Sequence, residues 1–196
     1  MYSAKNNYKL KTDLKQIANI QTGVFAKTVA KGDMVYLQPK YFDELGKLVT
    51  ELEHDLNSIG ISEKHILEQG DVLFAAKGSK NFATHFDLKG MAAAAAASTS
   101  FFVIRIFDKN LLPEYLTWYL NHEKTQQYLK AFARGSAIAS ISKSVLGDLK
   151  LSVPSLEIQN TILRIHSLRI EEKQLKLKID ALREAQIQQQ IINVLI

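Results

Sequence analysis

The chain has 196 residues, 46% of them hydrophobic, and a formal net charge of +5. That length and apolar content suit one large domain, or a domain with an appendage, and exclude a disordered chain. With no cysteine, a disulfide framework, a thiolate metal site and a cysteine nucleophile are excluded as well.

Residues 13–20 read as a short capped turn entering a strand, which Gln21-Thr22-Gly23 ends. Met34-Val35-Tyr36-Leu37-Gln38 is a predicted strand stopped by Pro39. Residues 41–57 are charged and turn-rich around Gly46, a surface excursion before 59–61. One helical turn is expected at 62–67, then Gln69-Gly70-Asp71 and a strand over 72–76. Lys77-Gly78-Ser79-Lys80-Asn81 follows as a basic turn. The alanine run 92–97 has high helix propensity but lies between Gly90 and the β-rich 101–106, so composition and context disagree there. From Pro113 the pattern turns helical, with one helix to about Asn121 and a second through Ala133, broken by Gly135-Ser136. A helical turn at 143–146 and a strand at 149–153 lead into Pro154.

Residues 155–196 contain neither Gly nor Pro. Ile165, Leu168, Glu172, Leu175, Ile179 and Leu182, continued by Gln186, Gln189 and Asn193, recur every three or four residues, the seam of a coiled coil. Ser155 is the expected N-cap. An amphipathic stripe more often marks a helix folded back on its own domain. Length reverses that expectation: at 1.5 Å per residue this helix extends roughly 60 Å, beyond the diameter of a globule of about 150 residues. The distal turns therefore call for a helix from another chain. Domain boundaries are expected at 1–153 and 154–196.

The basic excess lies before Pro154, where 19 Lys/Arg stand against 15 Asp/Glu, compared with 6 against 5 after it. This is compatible with nucleic acid without being diagnostic. No run is long enough to span a membrane, and residues 1–15 carry four lysines rather than an apolar signal core, so the expected location is cytoplasmic. No Asp/Asn-Pro-Pro-aromatic tetrapeptide or Gly-x-Gly loop is present, so methyl transfer is not expected from this chain. Glu171-Glu172-Lys173 sits within the predicted coiled coil, where solvated helix charges explain it better than a nuclease site. Gly78-Ser79-Lys80 lacks the upstream glycine of a P-loop, and the five histidines show no metal-ligand spacing. No catalytic residue, metal or cofactor is expected.

Taken in order, the stretch 14–23, Leu67-Glu68-Gln69-Gly70-Asp71-Val72-Leu73-Phe74 ending at Lys77-Gly78, Ser98-Thr99-Ser100-Phe101-Phe102-Val103-Ile104-Arg105, Tyr115-Leu116-Thr117-Trp118-Tyr119-Leu120, Gly135-Ser136 with Ile141-Ser142-Lys143, and Leu151-Ser152-Val153-Pro154-Ser155-Leu156-Glu157-Ile158-Gln159 form a pattern. It resembles the DNA specificity subunit of type I restriction-modification systems over nearly the whole chain. The resemblance implies an α/β (α+β) target-recognition domain with a mixed sheet, followed by one long coiled-coil helix. The usual subunit has two such domains and two such helices; this chain has one of each. That implies a half-length subunit that dimerises, or a fragment of a longer protein.

The implied partners are double-stranded DNA, modification (methyltransferase) subunits, a restriction subunit in some assemblies, and a second copy of the chain. Ile165, Leu168, Leu175, Ile179 and Leu182 would make the dimer and docking contacts. DNA recognition needs cations for phosphates and polar side chains for base edges. Candidates are Lys77, Ser79, Lys80 and Asn81 in one turn, Arg134, Ser136 and Lys143 in another, and Tyr36, Gln38 and Lys40 at the end of an early strand. Tyr115, Trp118 and Tyr119 fit core packing better than base stacking. Two other readings stay open: a piece of a larger restriction or modification enzyme, and an assembly adaptor that no longer reads DNA.

Overall fold

A computed structural model describes residues 11–43, 46–78, 81–87, 94–133 and 140–195. In chain order the elements are β1 (Lys11–Asp13), β2 (Ala18–Thr22), β3 (Val35–Leu37), β4 (Val72–Ala75), β5 (Ala83–His85), β6 (Ala95–Ala97), β7 (Phe101–Ile106), α1 (Pro113–Asn121), α2 (Glu123–Ala131), α3 (Lys143–Gly147), β8 (Lys150–Ser152) and α4 (Leu156–Leu195). The chain divides into two compact units, Met1–Leu156 and Glu157–Ile196.

In the first unit an antiparallel sheet of order β2-β7-β4-β5 forms the centre, β3 and β6 pair in parallel, and β1 pairs with β8. The architecture is therefore the mixed α/β one expected. β4 reads Val72-Leu73-Phe74-Ala75 without alternation because it is buried on both faces. Residues Leu73, Phe82, Phe101 and Val103 pack on one side, with edge-on contacts among Phe42, Phe82 and Phe101 at 5.9–6.0 Å.

The alanine run resolves against its helix propensity. Ala95 and Ala97 face the cluster around Phe101, while Ala96 faces Met34, Tyr36 and Leu56, so β6 is enclosed on both sides. Its other edge is also taken, since the Leu67 N–H donates to the Ala95 carbonyl at 2.9 Å. Methyl-sized side chains fit this space, and packing overrides local preference. Residues 92 and 93 lie outside the described residues.

Pro113 begins α1, as its missing N–H allows. At the far end the Asn121 amide donates to the Ala83 carbonyl and accepts from the Ala83 N–H, at 2.8 and 2.7 Å, satisfying part of the edge of β5. Tyr115 and Tyr119 donate to the carbonyls of Ser152 and Lys150, fastening α1 to β8. These aromatics hold the framework, and burial raises the pKa of both hydroxyls.

Among the ion pairs of the described residues, that of Asp71 and Arg105 has a fully buried carboxylate. Asp71, 1% exposed, accepts from Arg105 Nε at 2.9 Å and Nη2 at 2.7 Å, and Arg105 also reaches Glu68 and the Ile66 carbonyl. Asp71 Oδ2 further accepts from the Glu68 N–H, so the Gly70 turn and β7 are tied through one carboxylate. Arg105→Ala leaves that carboxylate unpaired, an expected loss of about 3–5 kcal/mol. Thermal unfolding should show a melting point roughly 10 °C lower, with Asp71→Asn in the same background restoring part of it.

Candidate nucleic-acid interface

The ends of five strands meet at one edge of the first unit. Because β7 runs antiparallel to both β2 and β4, its beginning lies beside their ends, at Thr22↔Phe102 and Ala75↔Phe101. The β6–β7 turn is there too, with β3 ending alongside β6 at Leu37↔Ala97. Backbone bonds close the cluster. The Ser98 N–H donates to the Leu37 carbonyl at 2.9 Å, the Ala76 N–H to Ser100 at 3.0 Å, and the Val24 N–H to Ala97 at 2.8 Å.

Two of the predicted loops are brought together here. Lys77 forms an antiparallel bridge with Ser140, and the Ile141 N–H donates to the Ala76 carbonyl at 3.0 Å. Lys143, two residues on, is exposed at the start of α3, where Ser142 caps the Val145 N–H at 3.2 Å. Lys77 is exposed beside Gly78, whose φ of 132° suits glycine. Asn81 closes the turn, its amide donating to the Ala75 carbonyl at 2.8 Å. Ser79, Lys80, Arg134 and Ser136 lie outside the described residues.

The third set joins the same edge. Gln38, half-buried, follows β3, and Lys40 is exposed with its Nζ 4.9 Å from the centre of the Tyr41 ring. Tyr36 takes a different part from the one expected. It is buried, its hydroxyl donates to the Val24 carbonyl at 2.8 Å and accepts from the Ala26 N–H at 3.3 Å. Burial raises its pKa, so it remains a donor across the neutral range. Tyr36 thus clamps the loop on either side of Phe25.

That loop borders a groove of about 450 Å³ lined in part by Phe25, Lys27, Thr28, Gln38 and Ser98-Thr99-Ser100. Sequence reasoning passed over Phe25, Lys27 and Thr28. The signal available was an aromatic and a lysine directly after Gly23 closes β2. Lys27, Lys40, Lys77 and Lys143 have no carboxylate partner among the described residues, whereas Lys15 and Lys150 elsewhere pair with Asp148 and Asp13. Uncommitted ammonium groups on loops suit phosphate contact. Among the described residues no cluster of His, Asp or Glu could hold a metal, and no helix is long and apolar enough to cross a membrane.

The second unit is α4. Ile165, Leu168, Leu175, Ile179 and Leu182 are all between 46% and 61% exposed. Glu172 in the same stripe pairs with Lys176 at 2.6 Å, which lowers its pKa, and Gln189 donates to Asn193 at 2.9 Å. A second stripe was missed: Leu163, Ile170, Leu177 and Ile191 fall at multiples of seven and so lie on the opposite side of the helix.

The family model described as type I restriction modification DNA specificity domain matches residues 7–193. The chain belongs to this family. The family is defined by DNA specificity, with catalysis lying outside it. Its fold is similar to that of the S subunit of a type I restriction-modification system from M. genitalium, at 15% identity and a TM-score of 0.58, over 87% of this chain and 41% of that one. It is similar to the HsdS subunit from Thermoanaerobacter tengcongensis at 15% and 0.58, over 86% and 38%. A structure described for complex assembly and conformational transition of the type I R-M system gives 17% and 0.56, over 91% and 40%. The chain spans about two fifths of the length of these solved subunits. No curated protein sequence matches it.

Gly23 is what lets a chain with this DNA-specificity fold bring β2 under the β6–β7 turn, because a Cβ there would run into the carbonyl oxygens of Ala97 and Ser98. Gly23→Ala should therefore force those strand ends apart, an expected cost of about 1–3 kcal/mol in denaturant unfolding. Tyr36→Phe should cost less, about 1 kcal/mol, with the Ala26 amide exchanging hydrogen faster.

Proposed function

We propose that the chain reads one half-site of double-stranded DNA as the specificity component of a type I restriction-modification complex. The observation that carries this reading is the Lys77–Ser140 bridge, which sets two basic loops side by side at the edge that also holds Gln38 and Lys40. Lys77, Lys40 and Lys143 engage phosphates, with Lys80 and Arg134 from the same loops. Ser79, Asn81, Ser136 and Gln38 supply polar groups for bases. Methylation and cleavage come from partner subunits.

We infer further that α4 is an assembly element. Its Ile165–Leu182 seam takes a second helix of the same kind, in a second copy or in the rest of a longer chain, and the stripe of Leu163, Ile170 and Leu177 is left for modification subunits. Two helices paired antiparallel over roughly 60 Å would hold two reading domains somewhat under 20 base pairs apart. Exposed isoleucines and leucines on two sides of one helix support this reading, since a surface stripe of that extent is stable in water only when covered.

Selection from randomised duplexes, with and without modification subunits, should enrich one motif. Failure of the parent chain to enrich any motif would favour the adaptor reading. Lys77→Ala and Lys143→Ala should weaken binding to target and random DNA alike, each reducing the slope of log affinity against log salt by about 1. Replacing Leu175 and Ile179 by Asp should lower the sedimentation coefficient to that of a single copy; an unchanged profile would remove the pairing argument.

A further inference from the structure

Lysines on a basic edge explain affinity and leave sequence preference unexplained, because phosphate contacts are the same for every base pair. Preference needs neutral hydrogen-bonding groups and apolar atoms presented to base edges without other employment. The groove beside Phe25 supplies both. Of its polar lining, Thr28, Gln38, Thr99 and Ser100 make no side-chain hydrogen bond among the described residues, whereas the Tyr36 hydroxyl is committed to the Phe25 loop.

Gln38 is distinct among the glutamines of its unit. Gln16 accepts from Thr12 and the Asp13 N–H, Gln21 donates to the Lys64 carbonyl, Gln126 to Leu120, Gln127 to Glu123, and Gln69 has a contact of its own. Those are framework residues. Gln38 is half-buried, flanked by buried Leu37 and by Pro39 at the start of a 3₁₀ turn, and its amide is uncommitted. A polar side chain with a fixed base and a free end is suited to reading.

Phe25 is the other half of the pair. It is 79% exposed, whereas Phe74, Phe82, Phe86 and Phe101 are buried. Its exposure does not come from a slack loop. The preceding Val24 is bonded through its N–H to Ala97 and through its carbonyl to Tyr36, the following Ala26 N–H is held by the same hydroxyl, and the Val29 N–H donates to Asp55 at 2.8 Å. The framework therefore holds an exposed aromatic ring next to Lys27 in sequence, on the lining of the same groove as Gln38.

We propose that Gln38 and Phe25 together read an adenine–thymine pair from the major groove, the Gln38 amide on adenine N6 and N7 and the Phe25 ring against the thymine methyl, with Lys27 on a neighbouring phosphate. This rests on the DNA-reading function proposed above and adds which groove and which base pair that function uses. Adenine presents a donor and an acceptor that one glutamine amide satisfies at once, and thymine alone among the four bases offers a methyl group there. In the minor groove neither feature exists, so the two residues would lose their complementary targets.

The test uses the full chain with its modification subunits and the motif that the parent selects. Deoxyuridine in place of each thymine removes only the methyl, and 7-deazaadenine in place of each adenine removes only N7. At one A·T pair both analogues should weaken the parent, 7-deazaadenine by about fivefold to a hundredfold. Phe25→Ala should lose the response to deoxyuridine and keep that to 7-deazaadenine. Gln38→Ala should do the converse and relax the preference at that pair, while Gln38→Glu, which can accept from cytosine N4, should shift it toward C·G.

Phe25 is exposed and the half-buried Gln38 has no side-chain hydrogen bond to lose, so all three variants should unfold near the parental midpoint. If the parent selects a motif and Phe25→Ala and Gln38→Ala keep its base preferences and both analogue responses, the groove is not the reader and the inference is overturned alone. If the parent selects no motif, the DNA-reading function fails and takes the inference with it.

Discussion

Three of the segments that carry candidate DNA contacts, those of Gln38, Lys77 and Phe25, are fastened to the backbone at the β6–β7 turn, and the segment of Lys143 is fastened in turn to Ala76. Ser98 is bonded to Leu37, Ser100 to Ala76, Ala97 to Val24, and Phe101 to Gly23. Main-chain bonds of this kind do not depend on side-chain identity, provided the crossings stay tight, which is where Gly23 enters. The consequence is a division of labour within a few ångströms. The turn fixes where Gln38, Lys77 and the Phe25 loop begin, and the side chains beyond those anchors are left to face outward. Recognition built in this way gains from a rigid support, since groups that are already placed lose little freedom when a partner arrives.

The same logic applies to the buried carboxylate of Asp71. A charge in the interior contributes little net stability when paired and is costly when its partner is removed. Here it joins Glu68, Ile66 and β7 through Arg105, so its value lies in fixing how the Gly70 turn leads into β4. β4 in turn leads into Ala76 and Lys77. An ionic contact near the beginning of the strand thereby helps to set the loop at its end.

Much of the fold was legible in the sequence because the signals were local. Pro113, Pro39 and the Gly70 turn ahead of β4 each act on residues within a few positions, and an element begins or ends beside each. What was not legible depended on distant chain. β1 pairs with β8 across almost the whole first unit, so the short run Lys11–Asp13 gives no sign of it alone. The alanines of β6 became a strand because clusters on both sides leave room for methyl groups only. Tyr36 looked like a base contact because it precedes Gln38; its hydroxyl instead meets a loop ten residues earlier. For the same reason Phe25 was overlooked: nothing in the sequence shows that the residues on either side of it are pinned.

Under the proposed function, affinity and specificity rest on different chemistry at this edge. Lysines without carboxylate partners attract any duplex, and their contribution weakens as salt rises because bound counterions are released to solution. A glutamine amide and a phenyl ring contribute almost nothing until a base edge of the right pattern lies opposite, and then they act at short range with little dependence on salt. A protein carrying only the first set would bind DNA everywhere, and one carrying only the second would find its target slowly. The loops of Phe25, Gln38 and Lys77 share the anchor at the β6–β7 turn, so under the proposed function a duplex drawn in by charge would meet the neutral groups in the same encounter. If Phe25 and Gln38 read bases as proposed, changing their side chains would alter what is read without disturbing the bonds that hold the loops, and a specificity domain could be re-aimed in this way while its framework persists.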